Sequence, residues 1–436
     1  MVSALPLNGD YATIAQLVQP PQVPPQQSRE PTTNDRKHTD PFLFGSRYLE
    51  EGDDVFEYNA WDHVETDAEY KAYAELQYAR QRESPVSDFD RKRFNDDPAR
   101  WWDLFYKNNL ANFFKNRKWL RQEFPILTEV TRRNAGPKIV LEVGAGAGNT
   151  AFPLILDNEN EELMVHACDF SKAAVRIMRD SEHYNKKYMT ADVWDVTSEG
   201  EDSLPPSLTE ASVDVVVLIF IFSALAPDQW NNALRNIYRV LKPGGEVLFR
   251  DYGRGDLAQV RFRKSRYMEE NFYVRGDGTR AYFFEKEELA AMWGKWTPEH
   301  GLQVDGNESG DEQDNQVVTE GAFEVMDLGV DRRLIVNRQR KLKMYRCWMQ
   351  GRFRKRISPE PEPKFEAETA QISWYYSPSA IWWPRPLCVT TQQYHLPTLW
   401  SLWLMQVDIL TGNIGTISLL FVIGSAGIFQ LYRAST

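Results

Sequence analysis

A mostly parallel α/β sheet with helices on both faces is the fold class this sequence predicts, and three observations predict it. Short apolar runs alternate with helical stretches from 138 to 252. A glycine-rich loop follows the first of those runs, and an aspartate closes each of the next two. Strands that alternate with helices cannot pair as hairpins, so they form a parallel sheet.

The runs are KIVLEVGA (138–145), LMVHACDF (163–170), KKYMTADV (186–193), VDVVVLIFIF (213–222) and GEVLFRDY (245–252). SKAAVRIMRD and PDQWNNALRNIYRVL between them carry helical periodicity. The segment 317–350, containing AFEVMDLGVDRRLIVN and LKMYRCWMQG, reads as closing antiparallel strands.

In Glu142-Val143-Gly144-Ala145-Gly146-Ala147-Gly148-Asn149 the glycines let the backbone approach a ligand where a Cβ would collide. Asp169, 25 positions after Gly144, ends the second strand, where a carboxylate can accept both hydroxyls of a ribose. It could equally cap the next helix. Asp192, followed by Val193, ends the third strand, placed to receive an adenine amino group. The loop and Asp169 alone suit a dinucleotide-binding enzyme as well. Two features, Ala191-Asp192-Val193 and RVLKPGGEVLF (239–249), which is a helix, a Pro-Gly-Gly turn and a strand, turn the balance to a class I methyltransferase, with a Rossmann-like seven-stranded sheet and S-adenosylmethionine as cofactor.

Four regions are expected: a disordered tail (1–40), an aromatic segment (41–134), the α/β domain (135–357) and a C-terminal extension (358–436). WWDLFYKNNLANFFKNRKWLRQEFPIL (101–127) has Trp102, Phe105, Tyr106, Phe113, Phe114 and Leu120 at helical spacing. Spacing alone leaves two readings, a helix packed on the core or a lid over a pocket. Residues 299–314 form an acidic loop without lysine or arginine, expected to be solvated and mobile. Residues 409–432 carry no charge, long enough to cross a bilayer once but with four glycines. A tail anchor and a stretch with no function both stay open.

The 436 residues carry a net charge of −11, which excludes a protein basic throughout but not a local basic face. The three cysteines, Cys168, Cys347 and Cys388, are far apart, which fits a reducing compartment and excludes a disulfide framework or a cysteine zinc site. The histidines show no HExxH spacing, so no catalytic metal is expected. The first twenty residues lack a basic stretch followed by an apolar one, so no secretory signal is read there. A cytoplasmic protein is expected, with a mitochondrial or tail-anchored one as alternative.

More of the chain resembles one family, the eukaryotic tRNA N3-methylcytidine methyltransferases. The matching stretches are FGSRYL, NAWDHVE, WWDLFYK, FFKNRKWLRQEFP, LEVGAGAGNTAFPL, ACDFSKAAV, VDVVVLIFIFSAL, LFRDYG, NFYVRGDGTRAYFF and DRRLIVNR, across roughly 41–356. The resemblance implies a cofactor site with an aromatic pair, here Trp102 and Tyr106, which favours the lid. It carries over Gly144, Asp169, Asp192, Val193 and Ile219, and Gly146 joins them from the glycine loop. Asn116 and Lys118 stand where the family usually has Asp and His, and Ala145 where Cys is common.

The implied reaction suits the residues. N3 of cytosine has its own lone pair, whereas methylation at carbon 5 needs a cysteine nucleophile. No proline-cysteine motif is present, nor the Asp/Asn-Pro-Pro-aromatic motif of amino-group methylation. Asp251 in FRDYG is the candidate to contact the base or offset product charge; its plain alternative is pairing with Arg250 or Arg254. Candidate RNA contacts are Arg261, Arg263, Lys264, Arg266, Arg275 and Arg280, interleaved with aromatics, and Arg332 and Arg333 in a stretch (331–357) with eleven Lys/Arg against one acid. The expected partner is tRNA, with an aminoacyl-tRNA synthetase as a second. Two other readings compete: a methyltransferase acting on protein or a small molecule, and a non-catalytic tRNA-binding adaptor.

Overall fold

The computed structural model describes residues 47–357 except 112, 118, 201–202 and 303–319, together with the backbone of strands within 388–434. The expected disorder of 1–40, Lys118, the acidic loop from 303 onward and the linker from 358 to 387 lie outside the described residues. The chain divides into two units, 1–358 and 359–436.

In the first unit the strands in chain order are β1 (Ala60–Asp62), β2 (Lys138–Val143), β3 (Leu163–Asp169), β4 (Met189–Val193), β5 (Val213–Ile219), β6 (Leu241–Tyr252), β7 (Tyr267–Glu269), β8 (Phe272–Val274), β9 (Arg280–Tyr282), β10 (Phe323–Asn337) and β11 (Leu342–Lys355). The main sheet has the order β1-β10-β11-β6-β5-β2-β3-β4. From β6 to β4 all neighbours are parallel, while β11, β10 and β1 add antiparallel at the β6 edge. Burial on both faces explains the unbroken apolar run of β5. Val216 and Leu218 enter the core on one face, and Val215, Val217 and Ile219 enter the core on the other.

Seven strands were expected and eight are found, because the short β1 pairs with β10 in the register Trp61↔Leu334. Three residues give too little pattern to read from sequence. The small antiparallel sheet β7-β8-β9 within 267–282 is a second addition.

The aromatic segment supplies α1 (Ala68–Arg82), α2 (Asp88–Asp96) and α3 (Pro98–Asn109). Asp97 caps α3 by accepting from the Arg100 N–H, and Pro98 occupies its first turn, where no N–H is needed. The helix stops well short of 127. Asn109 Nδ2 donates to the Phe105 carbonyl at 2.8 Å, and Leu110 turns left-handed at φ 50°. Phe113 and Phe114 therefore sit on a loop, and only the short helices Leu120–Glu123 and Ile126–Val130 follow.

In the second unit, Cys388–His395, Ser401–Thr411, Gly415–Gly424 and Gly427–Ala434 form a four-stranded antiparallel sheet. The described residues within the uncharged 409–432 stretch thus form strands, not one spanning helix. Among the described residues no helix is long and apolar enough to cross a membrane.

Candidate active site

The strand order reverses between β2 and β5, since the chain runs outward to β3 and β4 on one side and to β6 on the other. Parallel sheets open a crevice at the carboxyl ends of such strands, and ligands bind there. A cavity lies at this place, lined by Val143, Gly144, Asp169 and Ile219 from the strand ends. Trp102, Phe105 and Tyr106 of α3 and Phe113, Phe114 and Arg117 of the following loop line it as well.

The lid helix is fixed by a polar tie. Asp103 accepts from Ser171 Oγ at 2.6 Å and from the Ala173 N–H at 3.0 Å. Ser171 caps α4 (Lys172–Arg179), so α3 is anchored to the helix that follows β3. Trp102 and Tyr106 stack with centroids 6.1 Å apart, and both line the cavity. Burial, with the Asp169 charge beside it, holds the Tyr106 phenol well above its ordinary range, so it stays neutral.

Gly144 and Gly146 both lie at positive φ, 63° and 60°. A Cβ at Gly146 would meet the Tyr106 hydroxyl, and one at Gly144 would meet Ile221. The loop is thus as close to its neighbours as a residue without a side chain allows. Asp169 Oδ2 accepts from the Gly146 N–H at 2.8 Å and Oδ1 from the Ser171 N–H at 2.8 Å. Desolvation raises its carboxyl to about 6, with those two N–H groups pulling the other way. These residues fit a nucleoside sulfonium: a carboxylate for the ribose, a bare backbone cradle, and aromatic faces for a cation.

Not every predicted residue reaches the cavity: Gly146 is not in its lining and packs against the Tyr106 hydroxyl. Asp192 bonds Arg179 Nη2 at 2.8 Å, and Val193 is 42 % exposed. Neither lines it, although Trp194, Asp195 and Val196 directly after β4 do; the Asp192 carboxylate is engaged by Arg179 of α4 instead. Asp251 is fully buried beside the cavity rather than in its wall. It accepts from the Ser223 N–H at 2.9 Å and from its own neighbour's N–H, Tyr252, also at 2.9 Å. Desolvation raises its carboxyl to about 6. It does not pair with Arg250, which takes Asp331 and Gln350, nor with Arg254, which takes Glu75 and Glu285. Asp251 instead fixes the Ser223 turn, and Ser223 does line the cavity.

Residues 141–247 match the protein family described as "Methyltransferase domain". The tRNA N(3)-methylcytidine methyltransferase trm140 of Schizosaccharomyces pombe is 46 % identical, over 72 % of this chain and 92 % of that protein. The chain belongs to the tRNA N(3)-methylcytidine methyltransferase family. The Drosophila melanogaster relative Mettl2 is 40 % identical, over 73 % of this chain and 90 % of that one. The tRNA(Thr) (cytosine(32)-N(3))-methyltransferase of Saccharomyces cerevisiae is 49 % identical over 72 % of this chain, which spans 46 % of that longer protein. The fold is that of the class I methyltransferases, and the cofactor is S-adenosylmethionine.

In this methyltransferase several of the candidate RNA contacts are structural. Arg280 is 3 % exposed and donates to the Ala224 carbonyl, Asn95 and Gln229. Burial lowers its guanidinium to about 10. Arg332 pairs with Glu65 at 2.8 Å, and Arg333 with Asp62 at 2.7 Å, tying the β10 face to the aromatic segment. Arg266 donates to the Arg275 carbonyl at 3.2 Å. Arg261, Arg263 and Lys264 are exposed, and Arg275 lines the cavity.

The cavity wall also holds residues the motifs do not point to, among them Phe170, Trp194, Phe220, Ser223, Tyr252, Asp277 and Thr279. The sequence reading also missed Arg117, although FFKNRKW was singled out around it. An aromatic flanking each strand end was the available signal. Phe220 sits at φ 63°, unusual for a bulky residue, with its ring 4.8 Å from Tyr252.

Proposed function

We propose that this methyltransferase forms N3-methylcytidine at an anticodon-loop cytosine, position 32, of threonine tRNA, with serine tRNA as a second substrate. The cavity at the strand reversal carries the reading, since its lining joins Asp169 and Gly144 to a set of aromatic and polar residues. The tRNA(Thr) and cytosine 32 named for the Saccharomyces cerevisiae relative support the substrate.

S-adenosylmethionine supplies an electrophilic methyl group when bound. In this reading Asp169 accepts the ribose hydroxyls, Gly144 and Gly146 pass beneath, and Trp102 and Tyr106 cover the sulfonium. Phe220 and Tyr252 stack the base, which must be unpaired or flipped to expose N3. Arg275, Asp277, Thr279 and Ser223 meet its polar edge. N3 needs no protein nucleophile. Of the described cysteines, Cys168 and Cys347 are buried and neither lines the cavity. The protein's contribution is alignment and exclusion of water.

Exposed Arg261, Arg263 and Lys264 take backbone phosphates. A tRNA-charging enzyme is the second partner to seek by pull-down, and fractionation tests the cytoplasmic placement. The deciding experiment is nucleoside mass spectrometry of threonine tRNA from cells lacking the protein. Loss of N3-methylcytidine is expected; unchanged levels would overturn the assignment.

A further inference from the structure

We propose that Arg117 receives the α-carboxylate of the methionine part of S-adenosylmethionine, with the buried Glu142 as the counter-charge that holds its guanidinium in the cavity wall. The proposal rests on the cofactor and not on the RNA substrate.

Arg117 follows the lid helix and lines the cavity beside Tyr106 and Gly144. Its main chain is fixed by the N–H to the Asn149 carbonyl at 2.8 Å. Its side chain is 13 % exposed, and Nη1 donates to Thr150 Oγ1 at 3.0 Å. A guanidinium has five N–H donors. The other donors of Arg117 make no hydrogen bond among the described residues, and they are not sealed from the cavity.

Glu142 lies behind it at 3.8 Å, 3 % exposed, and neither carboxylate oxygen has a well-formed hydrogen bond. Burial raises that carboxyl to about 7, while Arg117, Thr150 and Ala151 pull it down. A buried pair at this separation, without closed hydrogen bonds, recovers little of its desolvation cost. An anion entering from the cavity would complete the geometry of Arg117.

The chemistry selects the anion. S-adenosylmethionine carries two positive groups, the sulfonium and the ammonium, and one negative group, the α-carboxylate. With the ribose on Asp169, the methionine arm would reach the lining residues of α3 and the loop after it. Arg117 stands there. The other cation in the lining, Arg275, donates to the Arg280 carbonyl and lies over Tyr252 in the turn at the base end. Lys115 and Lys107 of the lid region do not line the cavity.

The test is calorimetry on the full chain without RNA, comparing S-adenosylmethionine with its decarboxylated analogue, in wild type and in Arg117→Gln. A charge-assisted pair of this kind changes affinity by about 10- to 100-fold. Wild type should bind the decarboxylated compound weaker by that factor. Arg117→Gln should weaken S-adenosylmethionine equally and bind the two compounds within about threefold of each other. Adenosine, which has no methionine arm, should bind both proteins alike and reports an intact pocket. Should Arg117→Gln fail with adenosine as well, Arg117→Lys replaces it. That variant keeps the charge but not the fork, and should lower discrimination by about three- to tenfold. Wild type indifferent to the carboxylate, or a variant that discriminates as wild type does, would overturn the proposal. A substrate other than tRNA would leave these binding results untouched.

Discussion

An ideal Cβ on Gly146 would lie 2.3 Å from the Tyr106 hydroxyl oxygen and 3.2 Å from its ring carbon Cζ. The lid helix and the glycine loop are therefore fitted to each other through one missing side chain. Gly146→Ala should displace Tyr106 and strain a backbone held at φ 60°. At about 1–3 kcal/mol for such strain, cofactor affinity should fall roughly 5- to 160-fold. Removing the hydroxyl with Tyr106→Phe in the same chain should restore part of the loss. Calorimetry on the single and double variants reads it, and no recovery in the double variant would separate the two residues.

Asp169 sets a pH dependence. Its carboxyl titrates near 6 in the folded chain against 3.8 unperturbed. The native state thus keeps its proton to higher pH than the unfolded one, so this group's contribution to stability falls as pH rises from about 4 to 6. Binding runs the other way, since ribose hydroxyls need the ionised acceptor. Cofactor affinity should weaken about tenfold per pH unit below 6. Glu142 and Asp251 titrate nearby, so Asp169→Asn isolates the effect. That variant should bind weakly, with the Asp169 part of the slope gone; an unchanged slope assigns it elsewhere.

Charge on the surface and charge in the frame should separate cleanly. Arg280→Gln abandons three part-buried acceptors and should cost about 1–3 kcal/mol, seen as a lower Tm. Its effect on the salt dependence of tRNA binding should be small. Arg261→Gln and Lys264→Gln should leave Tm alone, and each should reduce the log–log salt slope by about 1. The opposite pattern would return Arg280 to the RNA surface.

These contrasts mark what the sequence made legible. The parallel strands and the β2 loop could be read because burial on both faces leaves continuous apolar runs such as Val213–Ile219, and because a bare backbone demands glycine. Gly144, Asp169, Trp102, Tyr106 and Ile219 come together as expected. Asp192 and Asp251 also close strands, but a strand's end does not reveal which groups claim its carboxylate: Arg179 takes Asp192, and the Ser223 and Tyr252 N–H groups take Asp251. Nor does a basic run show its acids: Asp62 and Glu65, which neutralise Arg333 and Arg332, come some 270 residues earlier. Arg117 was hidden for a related reason, since its meaning comes from Glu142 on another element.

Asp251 offers a final separation, between holding the cofactor and aligning the base. Its two oxygens take the N–H groups of Ser223 and Tyr252, and both residues line the cavity, at the part proposed above to receive the base. Asp251→Asn keeps one acceptor oxygen and turns an NH2 toward the second N–H, leaving a buried donor unpaired at about 1–3 kcal/mol. The turn at 223 should shift, while Asp169 and the glycine loop stay in place. Turnover on tRNA should drop roughly 5- to 100-fold, with cofactor affinity held within about threefold. Measuring kcat beside the cofactor Kd distinguishes this from general loosening of the fold, in which both would fall together. Equal losses in both would mean that Asp251 supports the whole cavity rather than its base end.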